Sequence, residues 1–131
     1  MNRASANEET VTSIQGTDRP DRLSVKEHTT NGIRVVTLAG EIDHDVTDAL
    51  RAIVLPADGQ DPPRTALDLS AVTFMDSSGI NVLVSAHQAA ADANGWLRVA
   101  GAQGPVLRVI QLVGLDSVIS CHPTVEQALH S

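Results

Sequence analysis

The sequence predicts an α/β domain built on a mixed, mostly parallel β-sheet of about five strands, with about four helices packed against it. Two observations predict this class. From Leu23 onward, stretches with apolar residues at every second position, typical of strands, alternate with stretches whose apolar residues recur at helical spacing. The chain also has 131 residues, close to the commonest size of a single domain. Alternating strands and helices favour parallel pairing, because a parallel connection needs a crossover, which is usually helical.

The N-terminal segment differs from the rest of the chain in composition. Residues 1–22 consist mainly of Asn, Ser, Thr, Glu, Asp and Gly, and after the initial Met only Val11 and Ile14 are sizeable apolar side chains. A segment of this kind cannot bury enough apolar surface to offset the entropy lost on ordering, which predicts a disordered tail. The folded domain is therefore expected to span residues 23–131.

The domain opens with a predicted β-hairpin. Leu23–Lys26 and part of Ile33–Leu38 alternate at period two, and Thr30-Asn31-Gly32 between them is a turn signal. Because the two strands of a hairpin are antiparallel, this pair makes the predicted sheet a mixed one.

The following segments alternate between helix and strand. They are a helix over Asp45–Leu55, a strand over Ala66–Val72, a helix that follows Asp76 and ends at Asn94, a strand over Trp96–Ala100, a helix over Val106–Val113, a strand over Ser117–Cys121 and a helix over Thr124–His130. Pro56 stops the first of these helices and Gly114 the third. In the first of these strands, Leu67, Leu69 and Ala71 are expected to lie on one face.

Charge and residue usage exclude several function classes. The chain has 9 basic and 16 acidic residues, a net charge of -7, and Phe74 and Trp96 are its only aromatic residues. A nucleic-acid partner is not expected, because it would need a basic patch or stacking aromatics. The single Cys121 cannot form an intrachain disulfide, which favours a cytoplasmic protein. We find no signal peptide, membrane span, zinc spacing or nucleotide fingerprint, so no membrane association, metal or cofactor is expected.

One motif stands where a predicted strand gives way to a predicted helix. In Asp76-Ser77-Ser78-Gly79, the unpaired N–H groups and the dipole of the first helical turn favour negative charge. In one interpretation Asp76, Ser77 or Ser78 is simply an N-cap, worth about 1 kcal/mol. In the other, a serine is a phosphorylation site, because the fold tolerates a phosphate at a helix N-terminus. Capping and modification can coexist on adjacent residues.

A second acidic residue has a similar position. Gly40-Glu41-Ile42-Asp43 leads from the second strand into the first helix, so Asp43 occupies a junction like that of Asp76. In a parallel sheet such junctions gather on one edge. Asp43 is either the cap of its helix or, together with Asp76 and the serines, part of an acidic surface that a partner recognises.

The apolar residues beside the serines also have two interpretations. Met75 and Ile80 either pack in the core or, if exposed, contact the same partner. Phe74 is expected to pack beneath the site rather than to contact a partner.

A serine hydrolase is a weaker interpretation of these serines. The local sequence D-S-S-G departs from the G-x-S-x-G nucleophile elbow, and no histidine is tied to the motif by a pattern. A domain of this size also has little room for an oxyanion hole and a substrate pocket. We therefore expect that the protein is not an enzyme.

These motifs resemble those of the anti-sigma factor antagonists of the STAS superfamily. The resemblance rests on Gly40-Glu41-Ile42-Asp43, on the stretch L-D-L-S-A-V-T-F-M-D-S-S-G over Leu67–Gly79, and on Val113-Gly114-Leu115 after a helix. It covers about Leu23–Leu129. The G-E-I-D strand end combined with F-M-D-S-S-G is much more specific than either motif alone.

The resemblance implies a bacterial regulatory switch. In such families an anti-sigma factor, which is also a serine kinase, sequesters a sigma factor. The unphosphorylated antagonist binds this kinase and frees the sigma factor. Phosphorylation of the antagonist ends its binding to the kinase, and a PP2C-type phosphatase returns the antagonist to the unphosphorylated form. The default expectation for the oligomeric state is a monomer.

Carried onto this chain, the resemblance implies that Ser77, the first serine of the motif, is the phosphate acceptor. The resemblance also implies that Asp43 and Asp76 contribute to recognition by the kinase and to positioning of the acceptor, and that Ser78 is a neighbouring contact. The expected partner-binding residues are Asp43, Met75, Asp76, Ser78, Gly79 and Ile80. The alternative is an unregulated STAS adaptor or scaffold subunit of a larger complex, but such proteins often lack the phosphorylatable serine.

Overall fold

The computed structural model describes the backbone of residues 10–14 and all atoms of residues 23–55 and 62–130. The strands in this part of the chain are β1 (Thr10–Ile14), β2 (Leu23–Thr30), β3 (Ile33–Ile42), β4 (Arg64–Met75), β5 (Trp96–Ala100) and β6 (Ser120–His122). The helices are α1 (Thr47–Val54), α2 (Ser77–Asp92), α3 (Gly104–Val113) and α4 (Val125–Leu129), with short 3-10 turns at His44–Val46 and Leu115–Ser117.

The strands form one sheet in the order β1-β2-β3-β4-β5-β6. The pairs β1–β2 and β2–β3 are antiparallel, whereas β3–β4, β4–β5 and β5–β6 are parallel. The predicted α/β class, with a mixed and mostly parallel sheet and four α-helices, is confirmed within the described residues. The predicted strands correspond to β2–β6, and β1 adds a sixth strand.

The prediction of disorder is wrong for part of the N-terminal segment. The backbone of Thr10–Ile14 forms β1 and pairs with β2 from Thr10↔Glu27 to Ile14↔Leu23. Its sequence T-V-T-S-I is rich in β-branched residues, which favour strands, and β2 offers an open edge whose N–H and C=O groups can be paired without a large apolar face. Residues 1–9 and 15–22 lie outside the described residues, so the prediction there stays a prediction.

The hairpin between β2 and β3 is confirmed, and both strands are longer than predicted. Thr30 pairs with Ile33, which leaves a two-residue loop of Asn31 and Gly32. Both loop residues have positive φ angles, 52° and 78°. Two positive φ angles are typical of a turn whose twist matches that of the flanking strands, and Asn and Gly adopt them at little cost.

The two faces of the sheet are covered unequally. Helices α1, α2 and α3 pack on one face, here called the three-helix face, where the main core includes Leu38, Leu50, Leu67, Leu83, Val99 and Ile110. The opposite face, here called the α4 face, has a smaller core of Ile33, Ala66, Ala100 and Ala128. There Arg98 stacks over Trp96 at 3.7 Å from the ring centroid and donates to the Ala128 carbonyl at 2.9 Å. The short helix α4 therefore covers only part of its face.

A buried arginine connects the sheet to the end of α1. Arg34, on β3, donates to the Glu27 carboxylate on β2 and to the backbone carbonyl of Ile53 in the last turn of α1. A cation at a helix C-terminus is stabilised by the carbonyl groups that have no partner within the helix. The ion pair with Glu27 compensates for part of the cost of burying the guanidinium.

Strand β4 carries two irregularities that the predicted alternation did not include. The register with β3 shifts between Thr37 and Ala39 and again between Gly40 and Glu41, with one extra residue on β4 each time. The expectation that Ala71 shares the buried face of Leu67 and Leu69 is wrong, because the first bulge exposes Ala71.

The strand predicted over Ser117–Cys121 begins later, at Ser120. Gly114, at φ 78°, ends α3 as predicted, and the chain then forms a 3-10 turn. In that turn the Ser117 hydroxyl donates to the Gly114 carbonyl at 2.7 Å, and the Ile119 N–H donates to the Leu115 carbonyl at 2.9 Å. These local hydrogen bonds delay entry into the sheet.

No helix in the described part of the chain is both long enough and apolar enough to cross a lipid bilayer.

Gly95, between α2 and β5, allows a close backbone contact that a mutation should disrupt. A Cβ atom there would lie 1.7 Å from the Pro63 carbonyl oxygen, which accepts a hydrogen bond from the Trp96 N–H at 2.9 Å. We expect Gly95→Ala to lower the free energy of unfolding by about 1–3 kcal/mol, because the backbone must move. Urea unfolding followed by the fluorescence of Trp96 measures this change.

The matched control for this variant is Asn94→Gly in the same connection. Asn94 has φ 66°, which glycine adopts without strain, so the control should change the free energy of unfolding by less than about 0.5 kcal/mol. Equal stabilities of Gly95→Ala and the wild type would contradict the tight contact.

Candidate functional site

The candidate site lies at the edge of the sheet where β3 and β4 end. The last residues of these strands, Ile42 and Met75, are paired, and the N–H of Asp76 donates to the Ile42 carbonyl at 3.2 Å. The loop from β3 to α1 and the junction from β4 to α2 are therefore adjacent. The prediction that Asp43 and Asp76 occupy neighbouring positions on one edge agrees with this backbone geometry.

Asp76 is the N-cap of α2. Its Oδ1 accepts from the N–H of Ser78 at 2.9 Å and from the N–H of Gly79 at 3.3 Å. Its backbone is extended, with φ -107° and ψ -173°, as at a typical N-cap. Of the three capping candidates, the structure selects Asp76, and Ser77 is the exposed first residue of the helix.

Asp43 has a similar local role in the neighbouring loop. Its Oδ1 accepts from the N–H of Asp45 at 3.0 Å and caps the 3-10 turn that leads into α1. The exposed His44 lies beside Asp45, with 3.1 Å between His44 Nε2 and Asp45 Oδ1. Both carboxylates predicted for the site are thus held in place by short-range hydrogen bonds to backbone groups.

Charge is distributed unequally along β3 and β4. Glu41 stands near the end of β3 and Asp43 directly follows it, whereas Arg34 and Arg64 lie near the starts of the two strands. Because the strands are parallel, their starts lie at the opposite edge of the sheet. Among the described residues, carboxylates therefore outnumber basic side chains at the edge that carries Ser77.

Three of the residues expected to bind a partner are buried. Met75 and Ile80 are 2% and 7% exposed, and Gly79 is also buried. A Cβ atom on Gly79 would lie 2.7 Å from Ile42 Cγ2 and 2.9 Å from Met75 Cγ. Of the two interpretations of Met75 and Ile80, the structure supports packing in the core, where these residues anchor the first turn of α2 against the ends of the strands. Ser78 is half-buried.

Phe74 was expected to pack beneath the site, and this expectation is wrong. Its side chain is 45% exposed. Neighbouring strand residues point to opposite faces, so only one of Phe74 and Met75 can point into the main core. The register settles this: Met75 pairs with the buried Ile42, and Phe74 pairs with Glu41 on the other face. In the sequence, the only sign of this arrangement was that two large apolar residues, Phe74 and Met75, are consecutive, so that one of them has to face away from the main core.

Cys121, the single cysteine, is half-buried in β6 and donates to the Ile119 carbonyl at 3.4 Å. Burial raises the pKa of its thiol, and the Asp116 carboxylate raises it further. A raised pKa lowers the thiolate fraction and with it the reactivity. Within the described residues, no group of His, Cys, Asp or Glu side chains is placed to hold a metal ion.

Fold and site together define a small α/β domain that presents an exposed serine at a helix start on an acidic edge of its sheet. The model of the STAS domain family matches residues 24–128. The chain therefore belongs to the STAS domain family.

Its relatives include proteins named as anti-sigma factor antagonists. The anti-sigma-F factor antagonist RsfB of Mycobacterium tuberculosis is 32% identical over 111 residues, which cover 84% of this chain and 89% of RsfB. The crystal structure of an anti-sigma factor antagonist from Mycobacterium paratuberculosis is 30% identical, has a TM-score of 0.68 and covers 92% of each chain. The phosphorylated form of SpoIIAA from Bacillus shares the fold, with 22% identity, a TM-score of 0.62 and coverage of 81% of this chain and 96% of SpoIIAA.

Removing the Asp76 carboxylate tests its structural role. Asp76→Ala deletes the acceptor of two N–H groups, and we expect it to lower the free energy of unfolding by about 1 kcal/mol. Asp76→Asn keeps a capping oxygen and removes the charge, so it should stay close to the wild type. Chemical denaturation of the two variants separates capping from charge. An asparagine variant as unstable as the alanine variant would contradict the capping role.

Gly79 offers a test of packing at the same helix turn. Gly79→Ala places a methyl group against Ile42 and Met75, and we expect a loss of about 1–3 kcal/mol of unfolding free energy. The control is Ser78→Ala, one position earlier, which should change stability by less than about 0.5 kcal/mol. Thermal and urea unfolding measure both changes, and a neutral Gly79→Ala would show that Ile42 and Met75 move aside freely.

Proposed function

We propose that this protein is an anti-sigma factor antagonist controlled by phosphorylation of Ser77. The unphosphorylated form binds an anti-sigma factor that is also a serine kinase, and this binding releases the sigma factor. Transfer of a phosphate to Ser77 ends the binding, and a PP2C-type phosphatase restores it. The observation that carries the proposal is the exposed Ser77 at the start of α2 on an acidic edge, directly after a carboxylate that already caps the helix. The names of RsfB and of the Mycobacterium paratuberculosis antagonist support the class.

Accessibility favours Ser77 over Ser78 as the acceptor. Ser77 is exposed, whereas Ser78 is half-buried, and its N–H is held by Asp76. A kinase must surround the acceptor hydroxyl with its own catalytic groups. The first serine offers this access without unwinding α2.

The carboxylate of Asp76 also determines how a phosphate would act. A free helix N-terminus stabilises an added phosphate through its N–H groups. Here Asp76 already accepts from the N–H groups of Ser78 and Gly79, so a phosphate on Ser77 must compete with it. The added charge of about -1.5 to -2 therefore meets a neighbouring carboxylate and is directed toward solvent or the partner.

Partner binding amplifies this repulsion, because it removes water. At a separation of about 5 Å, a doubly charged phosphate and one carboxylate repel each other by about 2 kcal/mol in water and by about 7 kcal/mol at an effective dielectric constant of ~20. The difference between the two environments corresponds to a loss of affinity of more than about a thousandfold. Repulsion and steric exclusion at the interface suffice for release, and the antagonist does not need to refold.

The protein acts in the cytoplasm as a monomer that regulates transcription through protein contacts, without catalysis of its own. Asp43 and Asp76 contribute to recognition by the kinase, and Ser78 is a neighbouring contact.

Phosphorylation of matched variants tests the proposal. The full chain is incubated with ATP and a purified anti-sigma factor kinase, and mass spectrometry locates the phosphate. We expect the wild type and Ser78→Ala to be phosphorylated and Ser77→Ala to remain unmodified but to bind the kinase. Ser77→Asp should bind at least about tenfold more weakly than Ser77→Ala, because it places a negative charge on the interface.

Two outcomes would overturn this proposal. A phosphate on Ser78 would reassign the acceptor. Binding of a kinase partner without any phosphate transfer, with equal affinities of Ser77→Ala and Ser77→Asp, would favour an unregulated STAS adaptor.

A further inference from the structure

Phe74 is the large apolar side chain that the described residues expose at the Ser77 edge. The others with high exposure are Leu112, Val113 and Val118, at 79%, 54% and 53%. These three lie in the last turn of α3 and just before β6, at the opposite edge of the sheet, because helices that follow parallel strands end where the strands begin. Trp96, the other aromatic residue, is half-buried under Arg98.

The length of β4 explains why Phe74 is uncovered. The pairing of β4 with β5 ends at Asp68↔Ala100, whereas β4 continues to Met75 and pairs there only with β3 among the described strands. The α4 face is packed by α4 around Ala66 and Ala100, far along the strand from Phe74.

The neighbours of Phe74 on the α4 face are small or acidic. Ala39 pairs with Ala71 on this face, and Glu41 pairs with Phe74. With these short or acidic strand neighbours, the aromatic side chain is 45% exposed. Glu41 is the strand partner of Phe74, and Asp43 and Asp76 directly follow the paired strand ends Ile42 and Met75, so the described residues between the ring and Ser77 include three carboxylates.

We propose that Phe74 is the apolar anchor of the interface with the anti-sigma factor and inserts into an apolar pocket bordered by basic side chains on that partner. This inference rests on the proposed function, since Phe74 lies three residues before Ser77 on the same edge. Aromatic residues are enriched at the centres of interfaces, and a few of them carry much of the binding energy. The basic border follows from charge complementarity with the acidic edge.

An anchor of this kind acts on affinity and not on phosphate transfer. Phe74 contributes no group to the chemistry at Ser77, so its loss should raise the KM of the kinase for this protein and leave kcat nearly unchanged. A role limited to stability would change neither value once the variant is folded.

Binding of three variants to the purified anti-sigma kinase tests the inference. We expect Phe74→Ala to weaken binding by about tenfold or more, and Phe74→Leu to lie between Phe74→Ala and the wild type. The matched control Leu112→Ala removes a more exposed apolar side chain from the opposite edge and should bind within about twofold of the wild type. Thermal unfolding of each variant verifies that it is folded.

The outcomes separate this inference from the proposed function. If the wild type binds, Ser77→Asp does not, and Phe74→Ala binds as tightly as the wild type, the anchor is overturned and the phosphorylation switch stands. If Phe74→Ala instead abolishes a self-association seen by sedimentation and leaves kinase binding intact, the ring contacts a second copy of the chain, which also overturns the anchor. A wild type that binds no anti-sigma kinase would overturn both proposals.

Discussion

The candidate site depends on one constraint, the attachment of the first turn of α2 to the ends of β3 and β4. The N–H of Asp76 binds the Ile42 carbonyl, and the missing Cβ of Gly79 lets the helix approach Ile42 and Met75 closely. A larger residue at this position would push the helix start away from the strands. With the turn held in place, the side chain of Asp76 caps the helix and Ser77 faces outward.

The same constraint suits the proposed switch. A helix start held by these contacts presents the unmodified serine with part of its ordering already achieved, which lowers the entropy cost of binding. A phosphate at this position cannot take over the capped N–H groups without displacing Asp76. The physical change is therefore local, in charge and volume, and the buried residues Met75, Gly79 and Ile80 have no need to rearrange.

Much of the architecture was predictable because it depends on patterns of a few consecutive residues. The Asn31-Gly32 turn, the strand over Trp96–Ala100 and the end of α3 at Gly114 each follow from a short signal that contains its own physical reason. The junction at Asp76 was predictable in the same way, since N-capping depends on a few consecutive residues.

Two of the features that were predicted wrongly depend on a partner distant in sequence. Disorder was predicted for Thr10–Ile14, which is a strand because β2 offers an edge, and Ala71 is exposed because β4 bulges against β3. The sequence by itself determined the order of the elements from β2 to α4 and the residues available at the site. Only the tertiary structure decided that Met75 is buried and Phe74 exposed, because the face to which a strand residue points is set by its register with the neighbouring strand and by what packs there.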